Sequence, residues 1–280
     1  MQELVLTLSC PDRPGIVHAV SGFLAERDCN IRDSQQYGSP RTSTFFLRVH
    51  VDSPVAATDL REQFAAVADA FGMTWEMHAD AEQQRVLVLV SRMGHCLNDL
   101  LYRWRSGYLP GAVAAVASNH TDLQSLTASY DVAFHHLPVT PETRDEQEAR
   151  ILALVDSLGV DLVVLARYMQ VLSPQLCDAL PGRIINIHHS FLPSFRGGRP
   201  YDQAYEHGVK LIGATAHYVT AQLDEGPIIE QEVARVGHAH EPEQLASVGR
   251  DLECVALARA VRWHLEHRVL LDGQRTVVFP

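Results

Sequence analysis

The hydrophobic pattern of residues 1–79 predicts a small α+β unit. Apolar and polar positions alternate in "ELVLTLS", "TSTFFLRVHV" and "MTWEMHA", as is typical of strands, and we interpret "CNIRDSQQYG" as a further strand. Between these stretches, apolar residues recur at helical spacing in "IVHAVSGFLAERD" and again from Leu60 to Phe71. The resulting order, β-α-β-β-α-β, predicts a ferredoxin-like fold.

The polar segment 80–84 separates this unit from a region with another pattern, and we interpret it as a linker. From residue 85 to residue 280, apolar runs such as "RVLVLVS", "GAVAAVAS", "DLVVLAR" and "RIINIHH" are continuous, as in strands covered on both sides. Helical stretches separate these runs, so we predict an α/β, doubly wound domain with a mostly parallel sheet. Two longer strands, a long helix and a pair of short strands complete this domain.

Composition and charge narrow the class of protein. The chain has 280 residues, of which 46% are hydrophobic and 20% charged, as in globular proteins. Its net charge of −11 argues against non-specific binding to nucleic acid. We see neither a signal peptide nor an apolar run long enough to span a membrane. The five cysteines are scattered, as suits reduced thiols, so we expect a cytoplasmic protein.

Polar side chains end one of the apolar runs. Asn186 and His188 belong to "RIINIHH", and side-chain alternation puts them on one face of the strand, ~7 Å apart. Open α/β sheets bind ligands beyond the carboxyl ends of their strands, and this is the end of the strand where both side chains lie. Both side chains could therefore donate hydrogen bonds to one substrate oxygen. The alternative is that they only cap the strand and bond loop carbonyls.

A second group of polar residues lies in "GATAHYVTAQLDEGPII". His217 falls in a strand, and Asp224 follows in a D-E-G-P turn. An aspartate in such a turn ordinarily bonds nearby backbone amides. With Asn186 and His188, however, it completes a set of hydrogen-bond donors and a base. Such a set suits attack on a carbonyl through a tetrahedral oxyanion.

These motifs resemble those of the formyltransferase fold that uses 10-formyltetrahydrofolate, whose signature is Asn-x-His, Ser-x-Leu-Pro and a downstream Asp. The chain carries them as Asn186, His188, Ser190–Pro193 and Asp224. The stretches "ARYMQVLSP", "NIHHSFLPSFRGGRPYDQAYEHGVKLIGATAHYV" and "LDEGPII" resemble the formyltetrahydrofolate deformylase family more closely still. So does the domain order, because residues 1–79 resemble an ACT domain in their "PDRPGI" turn and "CNI" strand start.

The resemblance implies hydrolysis of 10-formyltetrahydrofolate to tetrahydrofolate and formate without a cofactor, which would balance one-carbon folate pools and supply formate for purine synthesis. Asp224 would orient and deprotonate the attacking water, directly or through His188, while Asn186 and His188 would stabilise the oxyanion. The implied pterin-binding residues are Tyr168, Met169, Gln170, Val171, Leu172, His217, Thr220, Leu223 and Gly226. Arg196 and Arg199 are candidates for binding the glutamate tail, with solvated loop charges as the alternative.

One departure from the transformylases of this fold bears on the acceptor. Their glycine-rich loop after the first strand, which holds the acceptor's phosphate, is replaced here by "SRMGHCLNDLL". Backbone amides in glycine-rich turns are well suited to holding phosphate. Without that loop we expect water to be the acceptor. The alternatives are a formyltransferase acting on another amine and a non-enzymatic folate or amino-acid sensor.

For the ACT-like unit, the resemblance implies an amino-acid effector such as glycine or methionine, bound at a subunit interface by Asp12, Gly15 and Asn30. The alternative is a dimerisation unit without a ligand, and we expect a homo-oligomer.

We expect no metal, because the adjacent His188 and His189 should point to opposite faces of their strand.

Overall fold

A computed structural model of the chain describes residues 1–192 and 200–280. Its contacts divide the chain into two compact units, Met1–Gln83 with Glu266–Pro280, and Gln84–Leu265. Within the described residues, no helix combines the length and the apolar character needed to cross a membrane.

The first unit contains a four-stranded antiparallel sheet and two helices. The strands are β1 (Gln2–Pro11), β2 (Asn30–Ser39), β3 (Thr44–Ser53) and β4 (Thr74–Ala79), and the helices are α1 (Ile16–Ala25) and α2 (Ala57–Phe71). The strand order β2-β3-β1-β4 confirms the predicted ferredoxin-like fold. Leu4, Leu6 and Leu8 of β1 share one core with Phe64 of α2, so the alternation in the sequence marks the buried face.

The second unit is built on a seven-stranded sheet with the order β11-β10-β9-β8-β5-β6-β7. Its strands are β5 (Arg85–Val90), β6 (Ala112–Ser118), β7 (Phe134–His136), β8 (Leu162–Leu165), β9 (Ile184–His188), β10 (Leu211–Tyr218) and β11 (Ile228–Arg235). Its helices are α3 (His95–Arg105), α4 (Gln124–Ala128), a 3₁₀ turn (Pro141–Thr143), α5 (Arg144–Leu158), α6 (Pro174–Ala179), α7 (Pro200–Glu206) and α8 (Pro242–Leu265).

The sheet of the second unit is mostly parallel, as predicted. Strands β5 to β9 pair in parallel, whereas β10 runs antiparallel to both β9 and β11. From β5 the chain adds β6 and β7 on one side and then β8 and β9 on the other. The point where the strand order reverses therefore lies between β5 and β8, which is where open α/β sheets bind ligands.

The end of the chain differs from the expected domain range of 85–280. A hairpin of β12 (Val269–Asp272) and β13 (Arg275–Val278) belongs by its contacts to the first unit. The buried Arg48 guanidinium of β3 donates to the carbonyls of Glu266 and His267, at 3.0 and 3.2 Å. Ser39 donates to the Asp272 carboxylate at 3.0 Å. An isolated two-stranded hairpin is marginally stable, so it needs a partner surface.

Candidate active site

Two neighbouring strands supply the first side chains of the site. In β9, Ile185 is buried in the sheet, whereas Asn186 and His188 line a cleft. Because β10 pairs with β9, His217 lies opposite Asn186. The His217 Nε2 is 3.3 Å from the Asn186 Nδ2. Strand alternation thus directs Asn186 and His188 to the cleft, and strand pairing adds His217.

Asp224 joins this group from the loop between β10 and β11. Strand β10 ends beside Ile185, at the other end of β9 from His188, so the loop has to fold back. Asp224 adopts a left-handed conformation with φ of 56°. Its Oδ2 lies 3.3 Å from the His188 Nδ1, and its Oδ1 lies 3.7 Å from the His217 Nε2. The structure therefore brings together the four polar residues that the two motifs supplied.

The two imidazoles keep the Asp224 carboxyl ionised. The hydrogen bond from His188, and then the proximity of His217, lower the pKa of Asp224 well below its usual value, and burial offsets only part of this effect. A carboxylate with so low a pKa is a weak base towards water. The Asp224 carboxylate is therefore suited to orienting the two imidazoles and to balancing the positive charge that they gain on protonation.

His217 is oriented by the backbone around it. Its Nδ1 lies 2.8 Å from the Tyr218 carbonyl oxygen, so that nitrogen carries a proton and donates to the carbonyl. A Cβ at Gly226 would lie 1.8 Å from the same oxygen and 3.4 Å from the His217 Nδ1. Gly226, which we expected to bind the pterin, is not among the residues that line the cleft. It leaves room for the carbonyl that orients His217.

The two ring nitrogens of His188 have different surroundings. The residue is 8% exposed, and its Nδ1 faces Asp224. Its Nε2 is buried without a hydrogen-bond partner among the described residues. Since buried polar atoms are nearly always hydrogen-bonded, this nitrogen marks a position where a ligand atom is expected.

The cleft beside these residues has a volume of about 260 Å³. Every residue expected to bind the pterin except Gly226 lines it, namely Tyr168, Met169, Gln170, Val171, Leu172, His217, Thr220 and Leu223. Met169, Val171 and Leu223 are 60%, 56% and 63% exposed, so they present apolar surface at the opening. Apolar walls with a few convergent polar groups suit a flat heterocycle that carries a reactive substituent.

His189 also lines the cleft, which corrects the expectation that His188 and His189 point to opposite faces. Their ring centres are 5.0 Å apart. Strand β9 ends at His188, so side-chain alternation does not extend to the next residue. Burial, followed by the charge of Arg167, lowers the pKa of His189 to about 4. The His189 ring is therefore neutral near pH 7.

Buried polar residues of α5 hold the cleft loop in place, and the sequence analysis missed them. The Tyr168 hydroxyl donates to the Gln147 Oε1 at 3.1 Å. The Glu148 carboxylate accepts a hydrogen bond from the Ser173 amide at 2.9 Å. Gln147 and Glu148 are 4% and 7% exposed, although they belong to a polar stretch that is typical of a solvated helix face. Only their burial reveals their role.

Another cluster of metal-ligand side-chain types lies in the same unit. His95, Cys96 and Glu253 each bring one ligand-type atom within 4.8 Å of the others. The Arg167 Nε already lies 3.4 Å from the Glu253 Oε2, so this carboxylate has a cation beside it. A hydrogen bond with Cys254, together with burial, raises the pKa of Cys96 well above its usual value, which keeps it a thiol. These features favour an ion-paired cluster over a metal site, and the absence of a metal stays a prediction.

Asp12 and Asn30, two of the residues expected to bind an effector, do not meet within one chain. Asp12 directly follows Pro11, which pairs with Thr44 of β3. Asn30 pairs with Asp52 at the other end of the same strand. The two positions are roughly 26 Å apart at ~3.3 Å per residue. One effector could contact both only if they came from different chains.

Three residues of the sequence analysis, Pro193, Arg196 and Arg199, lie outside the described residues.

Comparisons with known proteins agree with this architecture. Residues 4–68 match the model of the ACT domain, and residues 84–261 match that of the formyl transferase family. The formyltetrahydrofolate deformylase of Corynebacterium sp. strain P-1 is 52% identical over 277 residues, which cover 98% of this chain and 97% of that protein.

Solved structures show the same relationship. The formyltetrahydrofolate deformylase of Burkholderia mallei ATCC 23344 superposes with a TM-score of 0.96 at 48% identity, covering 100% of both chains. Glycinamide ribonucleotide transformylase 1 of Symbiobacterium toebii has a TM-score of 0.68 at 34% identity, covering 72% of this chain and 97% of that one. The transformylase likeness leaves more than a quarter of this chain unmatched, whereas the deformylase likeness spans both units.

Proposed function

The chain belongs to the formyltetrahydrofolate deformylase family, and from this premise we propose that it hydrolyses 10-formyltetrahydrofolate to tetrahydrofolate and formate. The observation that carries the proposal is the Nε2 of His188, which has no hydrogen-bond partner among the described residues and lies in a cleft beside Asn186, His217 and Asp224. This nitrogen lies where a reacting group would meet an imidazole backed by a carboxylate.

In the proposed mechanism His188, rather than Asp224, takes the proton of the attacking water. Asp224 holds the Nδ1 side of the ring at 3.3 Å, which leaves the Nε2 as the ring nitrogen that can accept a proton. The lowered pKa of Asp224 makes its carboxylate a poor base, but well suited to stabilise an imidazolium. The direct route and the route through His188 were both open from the sequence, and this pKa favours the second.

The oxyanion that forms on the formyl carbon needs donors that are already in position. Asn186 carries two N–H groups on its Nδ2, one of which faces the His217 Nε2 at 3.3 Å. The other is available to the oxyanion, where one donor contributes roughly 10²–10³ in rate. His188, protonated by the water, then gives its proton to the leaving folate nitrogen as the carbon–nitrogen bond breaks.

The pterin would lie against the apolar wall formed by Met169, Val171 and Leu223, which are large, exposed hydrophobic residues of the cleft. We propose that the reaction uses no cofactor, because an imidazole, a carboxylate and an amide supply all the proton transfers and charge stabilisation that hydrolysis needs. The ACT domain would bind an amino-acid effector between subunits of a homo-oligomer.

The decisive experiment supplies 10-formyltetrahydrofolate to the purified protein with no amine present. We expect formate and tetrahydrofolate to appear in equal amounts, because water is the acceptor. If the formyl group is lost only after an amine is added, the protein is a formyltransferase and the proposal fails.

A further inference from the structure

A buried charged cluster lies beside the catalytic residues, and the proposed hydrolysis does not use it. We define the Glu253 cluster as Glu253 of α8, Arg167 after β8, His95 of α3 and Tyr201 of α7. The Glu253 Oε2 lies 2.8 Å from the His95 Nε2 and 3.4 Å from the Arg167 Nε. The Tyr201 hydroxyl donates to the Glu253 Oε1 at 3.0 Å. Three elements and one loop of the fold thus meet at one carboxylate.

The cluster is tightly fitted and charged. Glu253 is 1% exposed, and a Cβ at Gly249, one helical turn earlier, would lie 1.9 Å from the Tyr201 hydroxyl. Burial alone would raise the pKa of Glu253, but the hydrogen bond from His95 and the charge of Arg167 outweigh it and leave the pKa below its usual value. Glu253 is therefore an anion that holds the Arg167 guanidinium in place.

The cluster lies where the order of the strands reverses. Arg167 follows the end of β8, and His95 begins the helix after β5, so both belong to the crevice that doubly wound sheets use for ligands. Arg167 also lines the cleft that contains His188. Its backbone has φ of 64°, a conformation that favours glycine, and such conformations in non-glycine residues concentrate at functional sites.

We propose that Arg167, held by Glu253, restricts the formyl acceptor to water. The inference rests on the proposed hydrolysis and explains its specificity. The attacking atom of any acceptor has to come within ~3–3.5 Å of the formyl carbon, close to the open nitrogen of His188. An amine acceptor carries a substituent that has to fit into the crevice where the order of the strands reverses. The positively charged guanidinium of Arg167 occupies that crevice. Water needs no such space.

The two acceptors give different products from the same bond cleavage. In both reactions the bond between the formyl carbon and the folate nitrogen breaks, and that nitrogen takes a proton. Water forms a carbon–oxygen bond and yields formate, whereas an amine forms a carbon–nitrogen bond and yields an N-substituted formamide. The ratio of formamide to formate therefore reports which acceptor reached the carbon.

The test measures this ratio with the full-length protein, 10-formyltetrahydrofolate and glycinamide as a small amine, at a pH that leaves the amine largely unprotonated. We expect the wild-type protein to give formate with only a trace of formamide. Arg167→Gly, which suits the left-handed backbone, should raise the formamide share at least tenfold. The double variant Arg167→Gly with Glu253→Gln removes both charges, so no buried carboxylate is left without its cation.

Arg259→Ala is the matched control, because this arginine belongs to α8, the helix of Glu253, but pairs with Glu230 and Glu232 in an exposed position. Arg259→Ala should keep the wild-type ratio of formamide to formate.

If both Arg167 variants release formate with the wild-type ratio, the inference is overturned and the hydrolysis stands. If the folded variants bind folate but release neither product, Arg167 is needed for the attack of water. The proposal that Arg167 excludes amine acceptors is then overturned as well. If the wild-type protein removes the formyl group from the folate only with glycinamide present, the proposed hydrolysis fails instead.

Discussion

Asp224 contacts two imidazoles, with its Oδ2 3.3 Å from the His188 Nδ1 and its Oδ1 3.7 Å from the His217 Nε2. Asp224→Asn keeps the shape of the side chain but removes the charge that supports a protonated His188. We expect kcat to fall by roughly 10² or more with KM for the folate little changed.

Asn186→Ala should lower kcat by a comparable factor, through loss of an oxyanion donor.

Measurements of kcat and Tm on the same preparations distinguish catalysis from local structure. If Asp224 only stabilised its turn and Asn186 only capped its strand, each variant would lose ~1 kcal/mol of stability and keep its activity per folded molecule. Near-normal kcat in Asp224→Asn would contradict the proposed mechanism.

Gly226 leaves room for the backbone carbonyl that orients His217. In Gly226→Ala the new Cβ would meet the Tyr218 carbonyl oxygen at 1.8 Å, so this carbonyl and the His217 ring that donates to it have to move. We expect kcat to fall at least tenfold and Tm to decrease, because a backbone clash cannot relax as a flexible side chain would. Gly22→Ala in α1 is the control, since the Cβ that alanine adds there would meet no neighbouring group within 4 Å and alanine favours a helix. Equal activity of the two variants would show that the position of the carbonyl does not matter.

At the scale of the elements, the loop between β8 and α6 depends on α5. Tyr168→Phe removes the donor to the Gln147 Oε1, and a buried acceptor left without a partner costs ~1–3 kcal/mol. Because this loop lines the folate cleft, we expect KM for the folate to rise several-fold with a smaller change in kcat. Steady-state kinetics of Tyr130→Phe provide the control, because the exposed Tyr130 hydroxyl donates to Asn98 away from the cleft. A KM unchanged in both variants would mean that the α5 contact does not order the loop.

At the scale of the whole molecule, the chain returns to its first unit after the second is complete. Arg48→Met keeps the length of the buried side chain but removes the donors to the Glu266 and His267 carbonyls. We expect residues 266–280 to detach, which hydrogen exchange and limited proteolysis would detect in this segment and in β3, while the second unit keeps its protection. Arg41→Met, in the exposed loop between β2 and β3, should leave both measurements unchanged. Protection that is the same in all three proteins would show that Arg48 does not hold this segment.

Much of the fold is determined by local pattern. The alternation in β1 and the continuous apolar runs of β5 and β8 follow from which faces are buried, so each strand carries its own signal. The same alternation put Asn186 and His188 on one face of β9, and both line the cleft. Asp224 became a candidate base through its combination with these residues and through the family resemblance, because its turn alone does not distinguish a catalytic carboxylate from an ordinary one.

Tertiary structure decided what depends on contacts between distant parts of the chain. The antiparallel pairing of β10 puts His217 beside Asn186, and the fold-back of the next loop brings Asp224 to His188. Glu253 meets His95 across 158 positions, and the end of the chain belongs to the first unit rather than the second. Such contacts leave no periodic signal in the sequence, because hydrophobic spacing records which face of an element is buried but not which other element covers it.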